Sequence, residues 1–107
     1  MKRYGRVTKL RAGAEAEYDR LHAGVWPEVL AVIARTGIRN YSIFRNGRQL
    51  FSYFELPENA DLAEVTRLMM DDAACRKWED QMLPLQVAPG AVPGRTCWVP
   101  MKEIFHT

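Results

Sequence analysis

Asn46-Gly47 stands between two runs rich in strand formers, Ile38–Arg45 and Arg48–Glu55. A two-residue type I′ turn needs positive φ at both central positions, and Asn-Gly satisfies that better than almost any other pair. The two runs are therefore predicted as an antiparallel hairpin, with Pro57 closing it. The other elements can be placed outward from this hairpin.

Upstream, Tyr4–Leu10 alternates well enough to be read as a first strand. Arg11-Ala12-Gly13 connects it to a helix that opens at Ala14, where Glu15 and Glu17 load the first turn with negative charge. Tyr18, Leu21, His22, Val25, Trp26, Val29, Leu30 and Ile33 recur at spacings of three and four. Pro27 interrupts this pattern. It cannot donate to the residue four back, so the helix should end, kink or restart near Trp26. Gly37 reads as the glycine just past the helix end. Downstream, Asp61 and Glu64 resemble a capping box, and Asp71-Asp72 mark a break and a new N-cap for a helix over Ala73–Leu83. Pro84–Arg95, with Pro89-Gly90 and Pro93-Gly94, is predicted as a loop, and Thr96–Pro100 with Lys102–His106 as a last extended segment. The order β-α-β-β-α-β is that of an α+β, ferredoxin-like sandwich. Such a sheet carries helices on one face only. With Tyr41, Phe51 and Tyr53 on its strands, the bare face is expected to be covered by a second subunit or a ligand.

Composition narrows the function classes. At 107 residues, 48% hydrophobic and 26% charged, the chain is expected to be one globular domain spanning 1–107. Fifteen Lys+Arg against thirteen Asp+Glu leave a net +2 with no run of like charge, too little to imply nucleic acid as partner. The strand Gln49–Phe54 also fails the aromatic motif of an RNA-recognition module. Apolar runs are far shorter than the ~20 residues a membrane span needs, and no secretory pattern follows Met1-Lys2-Arg3, so no membrane association is expected. Two cysteines, Cys75 and Cys97, with no partner motif read as small buried hydrophobes in a reducing cytoplasm. Two histidines without supporting ligand spacing make a metal site unexpected. No glycine-rich phosphate loop, nucleophile elbow or zinc-protease motif occurs, so no cofactor is expected.

What remains is Tyr18-x-x-x-His22-x-x-x-Trp26-Pro27, which stacks a phenol, an imidazole and an indole along one helical stripe. It fits a helix–sheet core with a satisfied histidine. It fits equally a pocket lip, in which His22 exchanges protons near neutral pH and the aromatic faces grip a sugar ring. Trp78, with Glu79 and Asp80 beside it, can likewise be a buried helix indole or a pocket wall.

The ordered set Glu17-Tyr18, His22, Val25-Trp26-Pro27-Glu28, Gly37-Ile38-Arg39-Asn40-Tyr41-Ser42-Ile43-Phe44, Leu50-Phe51-x-Tyr53-Phe54-Glu55, Trp78-x-x-x-Met82 and Glu103-Ile104-Phe105-His106 resembles the L-rhamnose mutarotase family along essentially the whole chain. The resemblance implies a cofactor-free isomerase that interconverts the α and β anomers of L-rhamnose on a homodimeric α+β barrel. It implies His22 as the catalytic proton donor, with Tyr18, Tyr41 and Trp78 as substrate-binding residues. Where the family often reads Arg-Trp-Trp, this chain reads Lys77-Trp78-Glu79. Glu79 thus replaces a second indole with a hydroxyl-accepting carboxylate at a position that bears on sugar preference. Mutarotation needs only proton transfers, so one histidine with hydrogen-bonding partners suffices, Tyr18 being a candidate to relay the second proton. Alternatives are a mutarotase for another deoxy-sugar or a pentose, such as L-fucose, and, outside that class, a cofactor-free monooxygenase or a small-ligand binding module.

Overall fold

The computed structural model describes residues 1–87 and 97–107. Strand β1 (Lys2–Leu10) is followed by helices α1 (Glu15–His22) and α2 (Pro27–Thr36), then by β2 (Arg39–Asn46) and β3 (Gln49–Leu56). Helices α3 (Leu62–Asp71) and α4 (Ala73–Met82) come next, then a 3-10 turn at Leu83–Leu85 and the short strands β4 (Gln86–Val87) and β5 (Val99–Met101). All pairings are antiparallel, in the order β2-β3-β1-β4, with β5 also paired to β1. This is the ferredoxin-like order expected from the sequence, with each helical region built from two pieces, as Pro27 and Asp71-Asp72 predict.

The breaks between those pieces follow from single residues. Pro27 occupies the first turn of α2 behind an extended Trp26, so the first helix stops and a second begins. Asp61 caps α3 by accepting from the Ala63 amide, and Asp72 caps α4 by accepting from the Cys75 amide. Glu64 does not close a capping box; its carboxylate takes the Arg67 guanidinium instead. Gly37 ends α2 with φ of 89°.

The hairpin forms, but its turn is displaced by one residue. Asn46 pairs with Gln49, so the central residues are Gly47 and Arg48. Gly47 has φ of 61°, and Arg48 is not among the residues with positive φ. A glycine at the first central position followed by an ordinary residue is the type II′ pattern, which needs only one glycine-like site. Relative to a turn centred on Asn46-Gly47, β3 slides two residues along β2, so each side chain keeps its face.

Leu10 of β1 and Leu50 of β3 pack under Tyr18, Val29, Val32, Trp78 and Met82, while Phe54 and Leu56 pack with Ile38 and Val65. The helices therefore cover one face of the sheet. The sequence grouped Tyr41 with Phe51 and Tyr53 on the bare face. Instead Tyr41 lies on the helix side, its ring centroid 5.5 Å from Phe54. The cause is a bulge: Arg39 pairs with Glu55 but Ser42 with Tyr53, leaving one extra residue in β2. Asn40 lies in this bulge at φ of 53°. Strict alternation would send Ile38 and Tyr41, three residues apart, to opposite faces, and the extra residue lets both face the helices.

The C-terminal extended segment is shorter than expected. Among its described residues only Val99–Met101 pairs, and His106 is exposed outside any strand. The start of the expected Pro84–Arg95 loop instead falls in the 3-10 turn Leu83–Leu85 and then β4, because Gln86 and Val87 pair with Leu10 and Lys9. Its Pro-Gly pairs lie outside the described residues.

Candidate active site

Between the helices and the sheet lies a cavity of about 360 Å³, at the small end of the range for ligand pockets. Tyr18 and His22 enter it from α1, Tyr41 and Ile43 from β2, Trp78 and Glu79 from α4, and Trp98 from the segment before β5. Val25, Val29, Ile33, Met69 and Met82 supply apolar wall. The cavity thus gathers His22, Tyr18, Tyr41, Trp78 and Glu79. Trp26 stands behind it, its indole edge-on to Trp78 at 5.2 Å. His106 belongs to the far side of the sheet, near Arg3 and Phe105.

Tyr18 and His22, one turn apart, stack with centroids 4.1 Å apart, and Trp78 meets the imidazole edge-on at 5.3 Å. The imidazole Nδ1 lies 3.0 Å from the Tyr18 carbonyl oxygen. A carbonyl only accepts, so Nδ1 carries the proton in the neutral ring and Nε2 is left with its lone pair. Burial lowers the imidazole below its ordinary 6.5, while the Tyr18 carbonyl and the Asp19 carboxylate pull the other way. At neutral pH the ring is therefore uncharged and basic at Nε2.

Tyr18 is 3% exposed. Burial first, then the neighbouring Tyr41 and Glu79, push its phenol far above the ordinary range. Tyr18 therefore stays protonated and offers a neutral hydroxyl, which removes it as the group accepting a second proton. Asp19, beside it, takes a two-pronged hydrogen bond from Arg45 Nε and Nη2 at 2.8 and 2.7 Å. That bond ties α1 to the end of β2 and so fixes where Tyr18 and His22 stand against Tyr41.

Two polar residues, Gln86 in the wall and Arg6 behind Tyr41, were not singled out by the sequence. Gln86 is 2% exposed and its Oε1 has no partner among the described residues. Arg6, half-buried on the helix side of β1, donates from Nη2 to the Tyr41 hydroxyl at 2.8 Å and from Nε to Ser52 Oγ at 3.2 Å. An arginine on the inward-facing series Tyr4, Arg6, Thr8, Leu10 was the one available hint. Burial raises both thiols, Cys75 to about 11, so each is a protonated, inert core residue. Among the described residues no cluster of His, Cys, Asp and Glu could hold a metal ion, and no helix is long and apolar enough to cross a membrane.

The chain is similar to known proteins in sequence and in fold. The family model described as L-rhamnose mutarotase matches residues 3–107. The L-rhamnose mutarotase of Lactiplantibacillus plantarum is 38% identical over 109 residues, which is 99% of this chain and 98% of the relative. That of Opitutus terrae is 34% identical over 102 residues, 94% of this chain and 92% of the relative. The L-fucose mutarotase of Xanthomonas campestris is 36% identical over 93 residues, 84% of this chain and 74% of the relative. The crystal structure of the L-rhamnose mutarotase of Formosa agariphila superposes with a TM-score of 0.78 at 22% identity, covering 100% of this chain and 99% of that one, and has the same fold. With the family model spanning nearly every residue and relatives matching end to end, the chain belongs to the L-rhamnose mutarotase family.

Proposed function

We propose that this protein is an isomerase that interconverts the α and β anomers of L-rhamnose, with His22 as its acid–base group. The observation that carries the reading is the 3.0 Å contact of His22 Nδ1 with the Tyr18 carbonyl, which leaves Nε2 as the basic nitrogen, in a cavity walled by Tyr18, Tyr41, Trp78 and Trp98. Nε2 takes the proton of the anomeric hydroxyl as the C1–O5 bond breaks. C1 becomes a carbonyl, and the released electron pair goes to O5, which takes up a proton. Rotation about C1–C2 presents the other carbonyl face, and reclosure returns the protons. Indole and phenol faces suit the C–H faces of a pyranose, and their polar edges suit its hydroxyls. Tyr18, Tyr41 and Trp78 are the proposed sugar contacts, and Glu79 is a proposed acceptor for a sugar hydroxyl.

L-fucose is the second reading. A relative named for that sugar matches at 36% identity, and Glu79 stands where the resemblance places a second indole. We place the reaction in the cytoplasm, in keeping with two free buried thiols, and propose a homodimer in which the bare sheet face is covered by a second copy.

Saturation-transfer NMR on a panel containing L-rhamnose and L-fucose tests the reading. The protein is expected to speed anomer exchange, most strongly for L-rhamnose. His22→Asn, which hydrogen-bonds but shuttles no proton near neutral pH, is expected to lose about 10²–10⁴-fold in rate. Sugar binding without faster exchange would mark a binding module, and full exchange by a folded His22→Asn would return His22 to a packing role.

A further inference from the structure

We propose that Arg6 is a positioning residue of this site. Its guanidinium fixes the Tyr41 phenol as a hydrogen-bond donor into the cavity and braces the Trp98 indole beside it. The inference rests on reading the cavity as the site of sugar anomerisation.

Arg6 joins three parts of the fold. Its guanidinium carbon lies 4.9 Å from the Phe54 ring centroid, 5.1 Å from that of Trp98 and 5.9 Å from that of Tyr41, all within cation–π range. Its Nε is held by Ser52, the residue directly across the β1–β3 ladder. Arg6 makes no ion pair among the described residues, although it is half-buried. A methionine or leucine could fill a slot among these three rings without burying a charge that has no carboxylate beside it. The charge therefore calls for a reason beyond packing, and the Tyr41 hydroxyl provides one.

A guanidinium has donors and no acceptor. In the 2.8 Å contact the Tyr41 oxygen must accept, which leaves the phenol's own proton to be donated elsewhere. Tyr41 lines the cavity, while Arg6 stands behind it. The positive charge behind the oxygen polarises the O–H, and chained hydrogen bonds strengthen one another. When the C1–O5 bond breaks, negative charge builds on O5, and a fixed donor gains most where charge develops. Tyr41 keeps its proton throughout. The proton that ends on O5 comes from solvent water or from protonated His22, so Arg6 and Tyr41 stabilise charge and transfer nothing.

The test is anomer exchange of L-rhamnose, at saturating and subsaturating sugar, by the wild type, Arg6→Met, Arg6→Lys, Tyr41→Phe and the double variant Arg6→Met/Tyr41→Phe, each confirmed folded by circular dichroism. Arg6→Met is expected to lower kcat about tenfold, in the range for hydrogen bonds to charged groups, with a smaller change in KM. In the Tyr41→Phe background the same substitution is expected to cost less than about twofold, because the hydroxyl it acts through is gone. A purely structural arginine would cost the same in both backgrounds. If Arg6→Met does not fold, Arg6→Lys decides. It keeps the charge and stem but cannot serve Ser52 and Tyr41 as a fork, so it should also lose kcat. Full kcat in a folded Arg6 variant, or equal losses with and without the Tyr41 hydroxyl, overturns the proposal while the mutarotase reading stands. A wild type that exchanges no anomers overturns that reading, and this proposal with it.

Discussion

In the proposed mechanism His22 takes a proton at one step and returns it at another, and its surroundings pull both ways. Burial among Tyr18 and Trp78 favours the neutral ring, whereas the Tyr18 carbonyl and Asp19 favour the imidazolium, with burial the larger influence. The neutral base thus persists below the ordinary pKa, and the acid limb of the rate is expected to have its midpoint below pH 6.5. Linkage gives stability the following sign. Above pH 6.5 the ring is neutral whether the chain is folded or not, and His22 adds no pH dependence. From 6.5 down to the lowered folded value the unfolded chain binds the proton first, so stability falls as pH falls. Below the folded value the loss levels off. Chemical denaturation of the wild type and His22→Asn between pH 4 and 8 checks this, since the wild type should show that slope in excess of the variant. The salt-bridged and capping carboxylates, Asp19 and Asp72 among them, lower both alike at the acid end. A wild type whose stability rises as pH drops through this window would mean that the imidazolium is the favoured form in the fold.

Among the elements, β2 does most to shape the site, and a single residue decides how. Asn40 holds a left-handed conformation, which costs a residue with a Cβ roughly 1–2 kcal/mol and which Asn and Gly tolerate best. Its side-chain amide also donates to Glu55 at 2.7 Å. Asn40→Val, β-branched and ill-suited to positive φ, is expected to destabilise by about 1–2 kcal/mol, a drop in Tm of roughly 4–16 °C for a domain of this size. It is also expected to slow exchange by displacing Tyr41, while Asn40→Gly should stay near wild type. Calorimetry with the exchange assay reads both, and an unaltered Tm for Asn40→Val would mean that β2 tolerates a regular register. This bulge could not be read from the sequence, because Arg39–Phe44 contains no glycine or proline to mark it. Features set by local chemistry were legible: the Pro27 restart, the caps at Asp61 and Asp72, the Gly37 stop and the hairpin itself. Features set by partners distant in the chain were not. The turn settled one residue later because the β2–β3 register is fixed by both strands, and Gln86 joined a strand only because Leu10 was there to receive it. The candidate site divides the same way. His22, Tyr18, Tyr41, Trp78 and Glu79 were nameable from helical spacing and family resemblance. Arg6, Trp98 and Gln86 reach the cavity or its wall by contacts that no local spacing encodes.

At the scale of the whole molecule, what the helices leave bare is an ordered surface. Two rows cross the uncovered face of the sheet in register, Phe44–Phe51–Val7–Val99 and Ser42–Tyr53–Gly5–Met101. Phe44 is 63% exposed, Phe51 37% and Met101 44%. The Met101 methyl carbon lies over Gly5, 3.4 Å from where a Cβ would stand. Charged groups edge this surface, with Arg3 paired to Glu103 at 2.8 Å and Tyr53 donating to Glu55 at 2.6 Å. An apolar centre with a polar rim is the anatomy of an interface between folded units. Because the candidate cavity lies on the helix side of the sheet, a second copy can cover these rows without blocking His22. The proposed homodimer is expected to sediment at about twice 12.3 kDa at micromolar concentration. Phe44→Lys/Phe51→Lys places two charges in the apolar row of each face, where like charges from both copies would be buried, and is expected to sediment as a monomer with a lowered Tm. A wild type that is monomeric at that concentration and still exchanges anomers would refute the dimeric barrel and leave the two rows as ordinary surface.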